Sequence, residues 1–285
     1  MTDGRYRELL ALLESRRVCL PAFDIGTGQT DFLMGVLSAC QAARCPALLL
    51  VWPAPEPYLD LAACVDLVRS VGRRASVPVL LHLDHAKDEA ALARALELGF
   101  DGVMFDGSAL PLEENIRRTK AAAELAHAHG AVIEGELGRI GAELGDGYGA
   151  GGLTDPDEAG AFVRQTGVDI LAPAVGNAHG FYRKPPELQF GLIERLAAAA
   201  GVPLSLHGGT GIPAADVRRA ATLGFRKMNL ATFLHKRFAD ALAAEAGPLG
   251  EKCFHWFRAL GAARAAVAKQ AAECIAELNA GGLVG

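Results

Sequence analysis

Three histidines of the chain each follow an apolar run of the length typical of a β-strand, and together they could bind a metal ion. They are His85, His179 and His207, and Asp84 directly precedes the first of them. Three neutral imidazoles that leave one coordination position open form the ligand set of many catalytic zinc sites. A single histidine at a strand end is more often a hydrogen-bonded core or loop residue. Three of them, with an aspartate beside the first, favour a metal site.

Eight apolar runs of strand length alternate with longer helical runs along the chain. The predicted strands cover residues 18–24, 47–51, 79–84, 102–105, 131–136, 169–175, 203–207 and 227–230. Several are continuously apolar, as expected for parallel strands that are covered on both faces. Predicted helices between them include residues 60–74, 89–98, 112–129 and 188–200, and Thr154-Asp155-Pro156 is typical of a helix start.

This alternation predicts an α/β fold, a single (β/α)₈ TIM barrel domain over residues 1–285 with additional C-terminal helices. In such a barrel all strands end on one rim, where active sites are built, so the three histidines can meet there. The alternative is a doubly wound sheet. That fold usually carries a third glycine after its first strand, whereas this chain has only Gly26 and Gly28 there. The Ala-rich segment from about residue 231 exceeds one barrel helix, so part of it should pack on a neighbouring element or another subunit.

A second group of residues on the same rim is suited to bind phosphate. The turn Gly208-Gly209-Thr210-Gly211 follows the seventh predicted strand, and residues 229–232 lie at the end of the eighth. Barrels frequently hold phosphate with backbone N–H groups of these two loops. Glycines also serve tight turns, but the position next to His207 favours a phosphate site. Lys184 could add a positive charge.

The remaining histidines carry weaker functional signals. His127 and His129 lie in the last turn of a predicted helix, where a histidine suits the helix dipole, and we interpret both as structural. His82 shares a strand face with Asp84, so a core role and a supporting role for the metal site are equally compatible. His235 and His255 lie in the helical tail and are assigned no role.

Composition and charge limit the classes of partner. The net charge is −5, and 51% of the residues are hydrophobic. No basic patch stands out, which argues against nucleic acid or an anionic membrane, and no apolar run approaches the roughly 20 residues that span a bilayer. The first 17 residues are typical of an amphipathic helix rather than a signal peptide. Six cysteines without a C-x-x-C pair indicate reduced thiols in a cytoplasmic protein.

The motifs together resemble the class II, metal-dependent ketose-bisphosphate aldolases over almost the whole chain. The spacing is closer to the tagatose-bisphosphate branch than to the longer fructose-bisphosphate enzymes. The motifs that carry the resemblance are residues 21–23 (Pro-Ala-Phe), 81–85 (Leu-His-Leu-Asp-His), 106–108 (Asp-Gly-Ser), 134–138 (Glu-Gly-Glu-Leu-Gly), 153–156 (Leu-Thr-Asp-Pro), 178–180 (Ala-His-Gly), 206–213 (Leu-His-Gly-Gly-Thr-Gly-Ile-Pro) and 227–232 (Lys-Met-Asn-Leu-Ala-Thr).

The resemblance implies reversible cleavage of a ketose phosphate to dihydroxyacetone phosphate and an aldehyde through a zinc-stabilised enediolate. The three histidines would bind Zn²⁺, with Co²⁺ as a substitute and a monovalent cation as an optional addition. Asp84 would exchange the proton of the C4 hydroxyl. Dihydroxyacetone phosphate would be held by Gly180, Gly208, Gly209 and Thr210, together with Asn229, Leu230, Ala231 and Thr232. We also expect the chain to form a homodimer or homotetramer.

The loop after the fifth strand departs from the family. The family carries an acidic cluster there that supplies a catalytic base, and this chain keeps Glu143 with Asp146 nearby. We expect Glu143 to be the base. A solvated loop acid is the alternative, and Glu134 is a further candidate near the metal.

The part of the site that would bind the aldehyde also differs from the family pattern. Asp24 stands where the family has asparagine, and Trp52 with two prolines replaces a phosphate-contacting serine. No arginine aligns with the one that binds the second phosphate, although Arg258 and Arg264 lie close. A carboxylate repels a phosphate dianion, so we expect an aldehyde other than glyceraldehyde 3-phosphate. Alternatively Asp24 turns away or is protonated, and a neighbouring subunit supplies the cation.

Three other functions remain open at this stage. A metal-dependent isomerase or epimerase could use the same enediolate chemistry. A metal-dependent barrel hydrolase is disfavoured, because the first strand lacks the His-x-His pair such enzymes often carry. A sugar-phosphate-binding barrel without turnover is the non-enzymatic alternative.

Overall fold

Eight parallel strands close into a barrel, which confirms the predicted architecture and excludes the doubly wound sheet. The structure is a computed structural model that describes residues 4–26, 28–53, 60–142, 152–182, 186–247, 249 and 255–284. The barrel strands are β1 (Leu20–Asp24), β2 (Ala47–Val51), β3 (Val79–Ala86), β4 (Gly102–Phe105), β5 (Val132–Leu137), β7 (Ile170–Pro173), β9 (Leu204–Leu206) and β10 (Phe225–Leu230). Each predicted strand overlaps one of them, with ends that differ by at most two residues.

Two short strands that the sequence pattern did not predict form a separate parallel pair above the barrel. They are β6 (Gly141–Ala142) and β8 (Ala178–His179), and their register pairs Gly141 with Ala178 and Ala142 with His179. This pair joins the loop after β5 to the loop after β7.

Helices surround the barrel, and carboxyl or amide side chains begin several of them. They are α1 (Arg5–Arg16), α2 (Thr30–Ala42), α3 (Leu61–Gly72), α4 (Glu89–Glu97), α5 (Leu112–Ala128), α6 (Pro156–Thr166), α7 (Phe190–Ala200), α8 (Ala214–Thr222), α9 (Thr232–Ala246) and α10 (Trp256–Glu277). At the predicted start of α6, the Asp155 carboxylate accepts hydrogen bonds from the backbone N–H groups of Asp157 and Glu158. The prediction for this helix start is therefore confirmed.

The C-terminal segment forms helices that pack against the same chain. Helix α10 lies against α9 and α2, and its buried face consists of small and aliphatic residues that recur every four positions. Trp256 and Phe257, at its first turn, remain 60% and 55% exposed. Packing on neighbouring elements is thus confirmed, whereas association with another subunit stays a prediction.

The thiols that the structure describes are free. Cys19, Cys40, Cys45 and Cys64 are buried and Cys274 is partly buried, while Cys253 lies outside the described residues. Burial raises the pKa of Cys19 to about 12 and that of Cys64 to about 11. Buried protonated thiols of this kind behave as small apolar side chains. Within the described ranges, no helix has the length and apolarity needed to cross a membrane.

Candidate active site

The three histidines singled out from the sequence meet above the carboxyl ends of the barrel strands. His85 belongs to β3, His179 to β8, and His207 follows β9. One ring nitrogen of each lies within 4.8 Å of those of the other two. The Nε2 atom of His85 and the Nδ1 atom of His207 are only 2.9 Å apart. Such a cluster of imidazole nitrogens is the geometry that a bound cation requires.

The backbone of His85 adopts an uncommon conformation that directs its ring into this cluster. Its φ is 49°, in the left-handed region, and the pairing of β3 with β4 shifts register between Leu83 and Ala86. A non-glycine residue in this region costs on the order of 1–3 kcal/mol, and a strand irregularity of this kind re-aims a side chain. The strained backbone at His85 therefore places its imidazole on the rim of the barrel.

The protonation of the histidines suits a metal ligand set in two of the three cases. Burial, with the nearby His207 and His85, lowers the pKa of His179 to about 3, and burial also lowers the pKa of His207. Burial alone would lower the pKa of His85 too, but Asp84, Asp106 and Glu136 outweigh it and raise the value to about 9. These acids mark His85 as the place where positive charge is most stabilised.

Carboxylate oxygens near His85 provide further atoms that could bind a metal ion. Its Nδ1 atom lies 3.1 Å from Asp106 Oδ2 and 3.5 Å from Glu136 Oε2. Burial and the neighbouring Asp106 raise the pKa of Glu136 to about 8, and its Oε2 has no hydrogen-bond partner among the described residues. A buried carboxylate oxygen without a donor is costly unless a cation or a donor reaches it. The residues present therefore fit a divalent cation.

Asp84 lies beside the histidines and is held in place by Asn229 of β10. The Asn229 Nδ2 group donates to both carboxylate oxygens, at 3.0 and 3.2 Å. Burial would raise the pKa of Asp84, but the charges of His85, His207 and Lys227 outweigh it and lower the pKa below its usual range. Asp84 is thus a fixed, ionised carboxylate that can accept a proton.

A cavity of about 530 Å³ opens over these residues. Most residues predicted to contact substrate line it: Asp24, Gly180, Gly208, Thr210, Asn229, Leu230, Ala231 and Thr232. Gly209 does not line it, because it packs against β10, where its N–H donates to the Asn229 carbonyl oxygen. Lys184, Glu143 and Asp146 lie outside the described residues.

Two residues that the sequence did not single out tie the His179 loop to the His207 loop. The Tyr182 hydroxyl accepts from the Ala178 N–H at 2.8 Å and donates to the Gly208 carbonyl oxygen at 2.9 Å. Asn177 donates to the His207 carbonyl oxygen at 3.0 Å. The loops approach so closely that a Cβ atom on Gly208 would lie 1.9 Å from the Ala178 carbonyl oxygen. Glycine is required there by contact as well as by its φ of 62°.

Glu134, the further candidate for a base, is fully buried beneath His207 and does not line the cavity. His82 is buried next to it, with its Nε2 3.6 Å from Glu134 Oε2. His127 pairs with Asp169 at 3.0 Å, and His129 contacts the Leu125 carbonyl oxygen at 2.9 Å. Both contacts agree with the structural interpretation of these two histidines.

Two cationic side chains at the cavity were also not predicted from the sequence. Lys87 and Arg139 line it from the loops that follow β3 and β5. Their sequence signal was weak, since a lysine or arginine in a loop is usually a solvated surface residue. His235, which had been assigned no role, lies with its Nε2 3.4 Å from Asp24 Oδ1.

A closed barrel whose rim brings three histidines and several carboxylates together is typical of metal-dependent barrel enzymes. The family described as class II fructose-bisphosphate aldolase matches residues 4–282. This chain belongs to the class II fructose-bisphosphate aldolase family, whose members are lyases. The family is generally metal-dependent and acts on small phosphorylated sugars. This assignment favours the aldolase over the isomerase, hydrolase and non-enzymatic alternatives.

Individual relatives and one solved structure agree with this assignment. The chain is 36% identical to the D-tagatose-1,6-bisphosphate aldolase subunit GatY of Klebsiella oxytoca over 236 residues, which are 81% of this chain and 82% of the relative. It is 38% identical to a probable fructose-bisphosphate aldolase of Bacillus subtilis over 229 residues, 79% and 80% of the two chains. The crystal structure of the YdjI aldolase from Escherichia coli superposes with a TM-score of 0.85 at 30% identity and 98% coverage of both chains.

Proposed function

We propose that this chain is a zinc-dependent aldolase that reversibly cleaves a ketose phosphate into dihydroxyacetone phosphate and an aldehyde. The observation that carries the proposal is the pairing of two features in one cavity. An ionised carboxylate, Asp84, is fixed by Asn229, and three histidines with converging nitrogens lie directly beside it. Aldol cleavage needs both features, because a proton must leave a hydroxyl while negative charge develops on the neighbouring fragment.

Asp84 takes the proton of the C4 hydroxyl in this proposal. The electron pair of that O–H bond forms the aldehyde carbonyl, and the C3–C4 bond breaks. The electron pair of the C3–C4 bond remains on the fragment that becomes dihydroxyacetone phosphate. When bound by His85, His179 and His207, the metal supplies Lewis-acid stabilisation of this negative charge. Asn229 keeps Asp84 oriented throughout, since both carboxylate oxygens accept from its amide.

The phosphate of dihydroxyacetone phosphate binds, in this proposal, where helix α9 begins. Ala231 and Thr232 line the cavity at the N-terminus of this 15-residue helix, and Gly208 and Thr210 line the same cavity. The first N–H groups of a helix have no partner within the helix, and its dipole favours negative charge there. Gly180 and the Thr210 hydroxyl complete the proposed contacts, and Lys184 would add charge.

Glu143 serves as the second base, which exchanges a proton on the carbon of dihydroxyacetone phosphate. Support comes from the short strand pair that precedes it. Ala142, the residue that precedes Glu143 in the sequence, is in register with the metal-binding candidate His179 in the β6–β8 pair. Glu134 is a poorer candidate because it is fully buried and its Oε1 already lies 2.6 Å from His207 Nε2.

Proton exchange into dihydroxyacetone phosphate tests this function without any aldehyde. In D₂O, the metal-loaded wild type should exchange one carbon-bound proton, and Glu143→Gln should slow that exchange about 10²-fold or more. Mass spectrometry of the recovered compound measures the rate. Glu113→Gln, an exposed acid at the start of α5, is the matched control and should leave the rate unchanged. Absence of exchange in the wild type would contradict the aldolase, and unchanged exchange in Glu143→Gln would transfer the role to Asp146.

The aldehyde in this proposal carries no phosphate at the end that approaches β1 and β2. Asp24 lines that wall of the cavity together with the half-exposed Trp52. One Asp24 oxygen, Oδ1, accepts from the Gly26 N–H at 2.6 Å, which holds the carboxylate on the rim. The alternative supply of a second cation through Arg264 is disfavoured, because its guanidinium donates to Asp31 of the same chain at 2.8 Å.

Replacing Asp24 should therefore change the choice of aldehyde. We expect Asp24→Asn to raise kcat/KM for glyceraldehyde 3-phosphate about tenfold or more relative to unphosphorylated glyceraldehyde, because a carboxylate–phosphate repulsion disappears. Condensation rates with dihydroxyacetone phosphate and each aldehyde measure the ratio. Asp66→Asn, an exposed residue of α3 outside the cavity lining, is the control. A wild type that strongly prefers glyceraldehyde 3-phosphate, with a ratio that Asp24→Asn does not alter, would contradict the altered acceptor.

A further inference from the structure

A buried ion pair lies directly beneath the histidine cluster and touches it at one point. Glu134 of β5 and Lys227 of β10 point into the barrel interior, where they are 0% and 1% exposed. Lys227 Nζ donates to Glu134 Oε2 at 2.8 Å and contacts Ser205 Oγ at 3.3 Å. The other carboxylate oxygen, Glu134 Oε1, lies 2.6 Å from His207 Nε2. Each oxygen of Glu134 thus has its own partner.

The two partners of Glu134 differ in how they constrain it. An ammonium group can only donate, so Oε2 is committed to Lys227. An ionised carboxylate can only accept, so Oε1 requires a hydrogen on His207 Nε2.

The position of the hydrogen on Nε2 determines the state of Nδ1, the other nitrogen of the His207 ring. A neutral imidazole with its hydrogen on Nε2 has a lone pair on Nδ1. That Nδ1 atom is the one that faces His85 Nε2, 2.9 Å away, inside the ligand cluster. The other tautomer would place a hydrogen there and block the ligand atom. The orientation and the tautomer of His207 therefore both depend on what Glu134 offers to it.

We propose that Lys227 is a positioning residue for metal binding: by committing one oxygen of Glu134, it fixes His207 in the tautomer that can bind the ion. The inference rests on the proposed metal site, although neither Lys227 nor Glu134 contacts the cavity. A merely structural role for the ion pair would predict a loss of stability without a specific effect on metal affinity.

Substitutions on β10 distinguish a positioning role of Lys227 from a merely structural one, because neighbouring residues of a strand face opposite sides. Lys227 faces the barrel interior, whereas Arg226 is equally buried, at 3% exposure, and its guanidinium donates to Glu14 of α1 at 2.7 Å. We expect Lys227→Met to weaken zinc binding about 10–100-fold, the usual effect of losing a group that supports a ligand. Arg226→Met should lower the melting temperature but change the zinc dissociation constant less than twofold. Competition with a chromophoric chelator measures that constant.

Glu134→Gln gives a sharper test because it should reverse the tautomer. With Lys227 in place, the amide oxygen of the glutamine must face Nζ, and its NH₂ group must then face His207 Nε2. His207 would have to accept there and carry its hydrogen on Nδ1. We expect zinc affinity to fall at least as far as in Lys227→Met. The nitrogen chemical shifts of His207 in the metal-free protein should change from the Nε2–H to the Nδ1–H pattern.

The double variant provides an outcome that a structural role does not predict. In Lys227→Met combined with Glu134→Gln, the amide is free to turn its oxygen towards His207. The core also contains no unpaired charge, so this variant should fold even if Lys227→Met does not. We expect it to bind zinc more tightly than Glu134→Gln alone. Equal or weaker binding in the double variant, or wild-type affinity in Glu134→Gln, would overturn the proposal. A wild type that binds zinc no better than His179→Ala would instead overturn the metal site, and this inference with it.

Discussion

Chelation of divalent metal is expected to abolish carbon–carbon cleavage, and Zn²⁺ or Co²⁺ is expected to restore it, since imidazole ligands suit both ions. His179→Ala should lose metal and turnover together. His179 contributes one of three converging ring nitrogens, and burial with the neighbouring histidines keeps its pKa at about 3, so it is neutral and ready to bind. Two remaining imidazoles would hold the ion far less well. Metal content and cleavage rate, measured on the same preparation, check this.

His127→Ala is the matched control for this experiment. His127 is likewise a histidine with a close polar neighbour, since its Nε2 lies 3.0 Å from Asp169 Oδ2, but it lies in the last turn of α5. Its loss should leave metal content and turnover unchanged. Full cleavage activity in protein shown to be free of metal would remove the central claim of metal dependence.

The barrel was predictable from the sequence because its strands are covered on both faces. Runs such as Ala47–Val51, in which every residue is buried, stand out as continuous apolar segments. The β6–β8 pair was not predictable, because two residues per strand carry no hydrophobic period. Its pairing depends on where the loops after β5 and β7 meet in space.

The rim histidines could be found because polar residues interrupted apolar strands at their ends. The buried ion pair beneath these histidines could not be found from the sequence. Lys227 and Glu134 are 93 residues apart in sequence, and nothing local indicates that their strands place them together. The positive φ of His85 likewise depends on a register shift between β3 and β4. Tyr182 acts through its hydroxyl on two loop backbones, a contact that residue types alone do not reveal.

Asp84→Ala is expected to lose carbon–carbon cleavage by about 10²–10⁴-fold while it keeps the metal and keeps proton exchange into dihydroxyacetone phosphate. Cleavage needs an acceptor for the proton of the ketose hydroxyl, and Asp84 is the ionised carboxylate that Asn229 holds at the cavity. Exchange on dihydroxyacetone phosphate involves no such hydroxyl, so it should continue. A loss of this size corresponds to about 3–5.5 kcal/mol of transition-state stabilisation.

Asp88→Ala, four residues further along, distinguishes this effect from general damage to the loop. The Asp88 carboxylate begins α4 by accepting from the Ala91 N–H at 2.8 Å, and its removal should cost about 1 kcal/mol of stability without affecting cleavage. Cleavage and exchange rates, with metal content, are measured for both variants. If Asp84→Ala lost cleavage and exchange to the same extent, or lost its metal, Asp84 would be a support for the metal site. Selective loss of cleavage would identify it as the group that moves the hydroxyl proton.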